Sequence, residues 1–245
     1  MNKLGLLGKN ISYSFSKAYF KKKFEDEQIT NTTYENFDIE NIDLFPSIIK
    51  NTKNLKGLNV TIPYKQQVIP YLNKVSKKAK TIGAVNTIKI TKKGKLIGYN
   101  TDCYGFKKSL TPYLKPHHKN ALILGTGGAS KAVAYTLKKL DIDYSYVSRT
   151  SKKGANFTYS SLTEEVINQH LIIINCTPLG TFPNIEDCPE IPYDAITSNH
   201  ILFDLIYNPE ETKFLKFGKN KYAITINGLN MLKLQAKKAW SIWNL

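Results

Sequence analysis

ALILGTGGASKAVAYTLKKLDIDYSYVSR, residues 121–149, decides the fold. Ala121–Leu124 is an apolar run the length of a buried strand. Gly125, Gly127 and Gly128 follow at once. Ala129, Ala132, Val133, Thr136, Leu137 and Leu140 then recur at helical spacing and give one packed face. Tyr144–Val147 is a second run rich in β-formers. Strand, glycine turn, helix and strand make a βαβ unit with a dinucleotide-binding turn. Side chains at Gly125 and Gly127 are expected to block the tight turn and keep a pyrophosphate off the backbone. The helix N-terminus offers that phosphate its N–H groups and positive dipole end. Ser130 stands where the third glycine of G-x-G-x-x-G falls, and a small residue there still lets helix and strand pack closely. Two other readings compete: a capping loop in any parallel sheet, and the similar turn of a methyltransferase.

The end of the second strand bears on the cofactor. NAD enzymes usually carry Asp or Glu about 20 residues on, bonded to the ribose 2′-hydroxyl. Here the strand ends Val147-Ser148-Arg149-Thr150, without an acid, and Arg149 is the only arginine in the chain. A guanidinium grips phosphate as a bidentate fork, which lysine cannot do. The reading is therefore NADP, with Lys152 and Lys153 as supporting charge; the competing reading is a surface arginine placed by chance.

At 245 residues the chain accommodates one large domain or two modest ones. It has no apolar run long enough to span a bilayer, and MNKLGLLGKN is too poor in apolar residues for a signal peptide. Cys103, Cys176 and Cys188 form no C-x-x-C pair, which suggests a reducing, cytoplasmic setting and no structural zinc. His117, His118, His170 and His200 have no metal-ligand spacing and read as surface or loop residues. The formal charge is +16, yet the lysines come in short scattered clusters without interleaved aromatics. That favours a solvated surface over a nucleic-acid binder, with attraction of anionic substrate and cofactor as a side effect.

Taken in order, Lys3–Gly8 reads as a strand. Ser14-Phe15-Ser16 leads into a helix over 17–28, either serine being a candidate N-cap. Two hydroxyls at a helix N-terminus also suit a carboxylate. Thr33–Asp38 is a strand, Ile42–Lys50 a helix and Gly57–Thr61 a strand that ends in Ile62-Pro63-Tyr64-Lys65. Lys65 thus stands at the carboxyl end of a strand, the usual place for chemistry in open α/β sheets. Thr81–Ile90 carries G-A-V-N-T, and Leu96–Tyr99 returns as its hairpin partner after the turn Lys92–Lys95. Asn100-Thr101-Asp102 caps a helix to about Leu110, and Pro112 and Pro116 mark a linker. Ser151–Ser161 reads as a loop and Leu171–Asn175 as a buried parallel strand with a loop, 176–180, at its carboxyl end. Asn184–Pro192 is irregular. Ile201–Leu205 and Tyr222–Ile226 are strands with a helix near 211–217 between them, and Gly228 opens the last helix. The pattern gives two α/β units.

The chain carries S-F-S (14–16), N-V-T-I-P-Y-K (59–65), G-A-V-N-T (83–87), N-T-D (100–102), G-T-G-G-A (125–129), S-R-T (148–150), N-C-T-P-L-G (175–180), D-L-I-Y (204–207) and N-G-L-N-M-L-K-L-Q-A (227–236). In this order they resemble the shikimate dehydrogenase family over nearly the whole chain. The resemblance implies a two-domain α/β fold. A substrate-binding catalytic domain over 1–101 is completed by a C-terminal helix, 229–245. A Rossmann-like NADP-binding domain covers 102–228, with a cleft between the two. It implies NADP-dependent interconversion of 3-dehydroshikimate and shikimate in aromatic amino-acid biosynthesis, by a monomer or homodimer with no nucleic-acid or membrane partner. By match of motif, Lys65 is the acid/base and Asp102 its partner. Ser14, Ser16, Thr61, Asn86, Asp102, Tyr207 and Gln235 hold shikimate. Gly125, Thr126, Gly127, Gly128, Ala129, Ser148, Arg149, Thr150, Lys153, Thr177, Leu205 and Gly228 line the NADP site.

Those residue types suit the implied substrate, a carboxylate with three hydroxyls that needs many short donors and acceptors. An ammonium at Lys65 suits the charge that reduction leaves on oxygen. Several positions depart from the family pattern. Tyr13 stands where histidine is frequent, Cys103 where glycine is, Thr126 replaces alanine, Lys153 replaces a second arginine near the 2′-phosphate, and the chain stops soon after the Gln235 helix. The alternatives are a quinate/shikimate enzyme or a paralogue that prefers NAD and, in a different class, a non-catalytic NADP- or nucleic-acid-binding protein.

Overall fold

A computed structural model describes residues 1–12, 14–151 and 154–244. The chain forms two compact units, one of Met1–Thr101 together with Gln235 onward, the other of Asp102–Leu234.

The first unit contains β1 (Asn2–Gly8), α1 (Phe15–Asp26), β2 (Thr32–Asp38), α2 (Phe45–Asn51), β3 (Leu55–Val60), β4 (Lys74–Val75), α3 (Lys77–Ile82), β5 (Thr87–Ile90) and β6 (Leu96–Tyr99). Its six-stranded sheet has the order β2-β1-β3-β5-β6-β4. β1 runs parallel to β2 and β3, while β5 is antiparallel to β3 and β6. One face packs Leu7, Leu58, Val60 and Ile88 against Phe45 and Val68. On the other, Leu4, Leu6 and Tyr34 meet Phe20 and Phe24 of α1.

The second unit contains α4 (Asp102–Leu110), β7 (Asn120–Leu124), α5 (Gly128–Lys138), β8 (Asp143–Ser148), β9 (Phe157–Thr158), α6 (Glu164–Gln169), β10 (Ile172–Asn175), β11 (Ile201–Asp204), α7 (Lys213–Asn220), β12 (Ile224–Ile226) and the start of α8 (Leu229–Trp243). Its sheet order is β12-β11-β10-β7-β8-β9, with every pairing parallel. This is the doubly wound order, whose direction reverses at β7, where such folds bind dinucleotides. The strands alternate between two covered faces: Ala121, Ile123, Ile172, Ile174 and Phe203 toward one cluster, Leu122, Leu124, Ile173 and Leu202 toward the other. Burial on both sides explains why the sequence reads there as unbroken apolar runs. From Gln235 on, α8 belongs to the first unit, where Ala236, Ala239 and Trp243 complete the α1 face and the Trp243 indole N–H donates to the Ile88 carbonyl at 2.9 Å.

Several expectations need correction. The first helix starts at Phe15 because Ser14 is its N-cap, accepting from the Ser16 N–H at 3.2 Å. The segment expected as one helix over 42–50 is a 3-10 turn, Ile42–Leu44, followed by α2, whose first turn holds Pro46. Thr81–Ile90 is divided between the end of α3 and β5. The stretch read as loop, 151–161, contains β9, whose two residues show no alternation to detect. β4 and α6 were not anticipated; both are very short, though α6 carries a Thr163 N-cap and Glu164 and Glu165 in its first turn. His118 and His200 are buried rather than surface residues.

Candidate active site

In the first unit, strand pairing sets the polar residues in a line. Asn59 on β3 lies opposite Thr87 on β5, and Thr87 opposite Tyr99 on β6. The Tyr34 hydroxyl donates to Asn59 Oδ1 at 2.8 Å. Asn59 Nδ2 donates to Thr87 Oγ1 at 3.3 Å, and Thr87 Oγ1 donates to Asn86 Oδ1 at 3.1 Å. Asn86 Oδ1 also accepts the Thr101 N–H at 2.7 Å, while its amide donates to Thr101 Oγ1 at 3.0 Å and to Gln235 Oε1 at 3.4 Å. A buried hydrogen-bond chain therefore joins Tyr34, Asn86 and Gln235, the last two 149 residues apart in sequence. Burial raises the Tyr34 phenol well above its ordinary range, so it stays a neutral donor.

Thr61 and Lys65, both half-buried, lie in the turn after β3. The Thr61 N–H is tied to the Leu7 carbonyl at 2.9 Å, and the Lys65 carbonyl to the Val85 N–H at 2.7 Å. Lys65 sits in a sequence window, 44–101, with twelve lysines and no Asp or Glu.

In the second unit, Gly125 ends β7 with φ +96°, a left-handed conformation that penalises any side chain. A Cβ there would also press Thr177 Cγ2 at 3.0 Å. Gly127 differs: its φ is −77° and a Cβ would meet nothing within 4 Å. The expectation that a side chain at Gly127 blocks the turn is thus corrected, since the protein itself leaves that space open. Thr126 lies between them, and Gly128 and Ala129 open α5. Gly127 caps α5 without a side-chain hydrogen bond, and no acid occurs in the first turn. Ser130 is fully buried and donates to the Gly127 carbonyl at 2.7 Å, which tightens the turn. Ser148 is buried at the end of β8 and donates to the Thr150 carbonyl, while Arg149 and Thr150 are exposed. An open glycine turn, an acid-free helix start and an exposed guanidinium fit a phosphate-bearing cofactor. Lys152 and Lys153, and Tyr13 in the first unit, lie outside the described residues.

The carboxyl ends of β10 and β11 carry the remaining positions. Asn175 Oδ1 accepts from the Thr177 N–H and hydroxyl at 3.0 and 2.7 Å. Asn175 Nδ2 donates to Asp204 Oδ1 at 3.1 Å, which also accepts the Ile206 N–H at 3.0 Å; Thr212 Oγ1 donates to Asp204 Oδ2 at 2.6 Å. Burial pushes the Asp204 carboxyl up to about 6, against the pull of those hydrogen bonds. Leu205 and Tyr207 follow Asp204, and Gly228 packs so closely that a Cβ would fall 2.2 Å from the Leu205 carbonyl oxygen. Asp102 is buried at the start of α4, directly after Thr101.

Sequence reasoning missed Tyr34 and Thr212, and assigned no role to Asn59, Thr87, Thr101, Asn175 and Asp204 although they stand in the motifs it singles out. One signal was available: Asn175 and Asp204 are polar residues closing apolar β runs. Among the described residues, no group of three or more His, Cys, Asp or Glu could hold a metal ion.

The family model of the shikimate dehydrogenase substrate binding domain matches residues 6–88. A shikimate dehydrogenase (NADP(+)) of Methanosphaera stadtmanae is 39% identical, over 98% of this chain and 90% of its own length. The chain belongs to the shikimate dehydrogenase family. A crystal structure of a shikimate dehydrogenase in complex with NADP+ is 36% identical with a TM-score of 0.87, covering 99% of this chain and 90% of that one. The family member from Thermus thermophilus, in complex with NADP(H) and shikimate, is 28% identical with a TM-score of 0.87, covering 99% and 93%. Family membership thus extends beyond the matched domain model to the glycine turn and the Arg149 strand.

Proposed function

We propose that the chain catalyses the reversible, NADP-dependent reduction of 3-dehydroshikimate to shikimate, in the route to chorismate and the aromatic amino acids. The observation that carries this reading is the buried chain of hydroxyls and amides from Tyr34 through Asn86 to Gln235. It holds Asn86 and Gln235, side chains of the short polar kind that suits a small polyol, fixed against each other. Ser14, Ser16, Thr61, Asn86, Tyr207 and Gln235 hold the substrate, and Asp102 bonds its ring hydroxyls. Gly125–Ala129, Ser148–Thr150, Lys153, Thr177, Leu205 and Gly228 hold the cofactor. In two-domain terms, residues 1–101 with the C-terminal helix serve the substrate and 102–228 the cofactor.

Bound NADPH supplies the hydride. Lys65 stabilises the negative charge that develops on the C3 oxygen and gives it a proton; in the oxidation it takes that proton back. The protein acts in the cytoplasm as a monomer or homodimer. The test measures oxidation of shikimate and of quinate, each with NADP+ and NAD+, through the absorbance of reduced nicotinamide. Shikimate with NADP+ is expected to give the highest kcat/KM. Inertness in all four assays, or a preference for quinate with NAD+, overturns the reading.

A further inference from the structure

We infer that Asp204 is a positioning residue for the nicotinamide half of the cofactor. The inference rests on the NADP-dependent reading above. The parallel sheet reverses its winding at β7, so a dinucleotide lies across the carboxyl ends of strands on both sides. Arg149 on the β8 side marks the adenosine 2′-phosphate end. The nicotinamide half then lies over β10, β11 and β12. Asp204 is the group that ties those ends together. It is fully buried, yet it touches three separate pieces of chain. Oδ1 takes the Ile206 N–H and so fixes the turn carrying Leu205 and Tyr207. Through Asn175 the same oxygen fixes the loop of Thr177, because Asn175 also accepts both Thr177 donors and gives its second N–H to the Leu179 carbonyl at 3.3 Å. Oδ2 takes the hydroxyl of Thr212, the N-cap of α7, which accepts from the Leu215 N–H.

One of these loops packs against the glycine turn and the other against the residue before the last helix. Thr177 Cγ2 abuts Gly125, and the Leu205 carbonyl abuts Gly228. A displacement at Asp204 therefore reaches both loops at once. Burying a carboxylate is costly, and here three donors, from Asn175, Ile206 and Thr212, offset that cost. A group that sets two loops in register acts on hydride-transfer geometry, where small misplacements cost rate. Asp204 need not touch cofactor or substrate for this.

The experiment compares Asp204→Asn with the unmutated protein near pH 7.5. Binding of NADP+ and of adenosine 2′,5′-bisphosphate, which lacks the nicotinamide half, is measured by calorimetry. The kcat, the KM for shikimate and the primary deuterium isotope effect on kcat are measured in parallel. We expect kcat to fall on the order of tenfold to a hundredfold, with a larger isotope effect and a KM for shikimate that is nearly unchanged. Affinity for the bisphosphate should hold while that for NADP+ drops. Equal losses for both ligands, or no change in kcat and isotope effect, overturn the assignment. If Asp204→Asn fails to fold, Thr212→Val is read by the same measures, with Thr212→Ser expected to restore them. An unmutated protein that binds neither NADP+ nor the bisphosphate refutes the NADP reading itself, a different failure.

Discussion

Arg149 is the only guanidinium in a chain that otherwise uses lysine, and it is exposed at the end of β8. Loss of a charge-assisted fork on a 2′-phosphate costs about 1.5–3 kcal/mol. Arg149→Ala should raise the KM for NADP roughly tenfold or more and leave NAD nearly untouched. Steady-state kinetics with both cofactors checks this, and equal losses would show that the guanidinium does not read the phosphate. Lys65 makes a different demand. If it stabilises charge on the reacting oxygen, Lys65→Ala should lower kcat on the order of 10²–10⁴-fold with only a modest change in KM for shikimate. Asp102→Ala should lower kcat and weaken binding, and the double mutant should lose less than the product of the single losses. Strictly multiplicative losses would separate the two groups into independent roles.

Elements decide what a glycine or a serine is for. Gly125 has a positive φ and a crowded Cα, so Gly125→Ala should destabilise the protein and weaken NADP binding together. Gly127 has neither constraint. Gly127→Ala should keep the melting temperature within a few degrees yet weaken NADP binding, because its Cβ would enter the space left for the pyrophosphate. A thermal melt and a binding titration on each variant test the contrast; parallel losses at Gly127 would return it to a structural role. Ser14 does cap α1, so alanine there removes a cap worth about 1 kcal/mol, whereas glycine costs only a few tenths. Ser14→Gly is therefore the cleaner probe: stability should hold while the KM for shikimate rises, and an unchanged KM would leave Ser14 a cap alone. These cases also mark what the sequence could disclose. Strands covered on both faces, such as Ala121–Leu124, announce themselves as apolar runs, and the Gly125 turn follows from local chain chemistry. The bonds from Asn86 to Thr101 and Gln235 span 15 and 149 residues and leave no periodic trace. A strand as short as Phe157–Thr158 exists only because β8 is there to pair with it.

The second unit as a whole holds buried groups whose protonation opposes one another. His118 Nδ1 accepts the Lys115 N–H at 2.9 Å and its Nε2 donates to the Asn199 carbonyl at 3.0 Å. His200 repeats the arrangement with the Thr197 N–H at 3.0 Å and the Ile167 carbonyl at 3.2 Å. Both rings are thereby held in one neutral tautomer, and a second proton would set Nδ1–H against an N–H donor. Burial lowers both below the ordinary histidine value of 6.5, so the unfolded chain binds those protons first and stability is lost as pH falls from about 6.5. Asp204 has the opposite sign. Its carboxyl is raised from 3.8 to about 6, so the folded protein holds a proton that the unfolded chain has released. That contribution is present below pH 3.8 and fades as pH rises to about 6. Acidification from neutral pH therefore draws on the histidines while Asp204 offsets part of the loss, on the order of 2 kcal/mol by pH ~4.5. Asp204→Asn removes the offset. Its melting temperature should fall more steeply than that of the unmutated protein between pH 7 and pH ~4.5, while His200→Asn should flatten the same profile. Melts at constant ionic strength across that range decide the matter. Parallel profiles for Asp204→Asn and the unmutated protein would mean that the carboxyl stays ionised throughout, held down by Thr212, Ile206 and Asn175 more strongly than burial raises it.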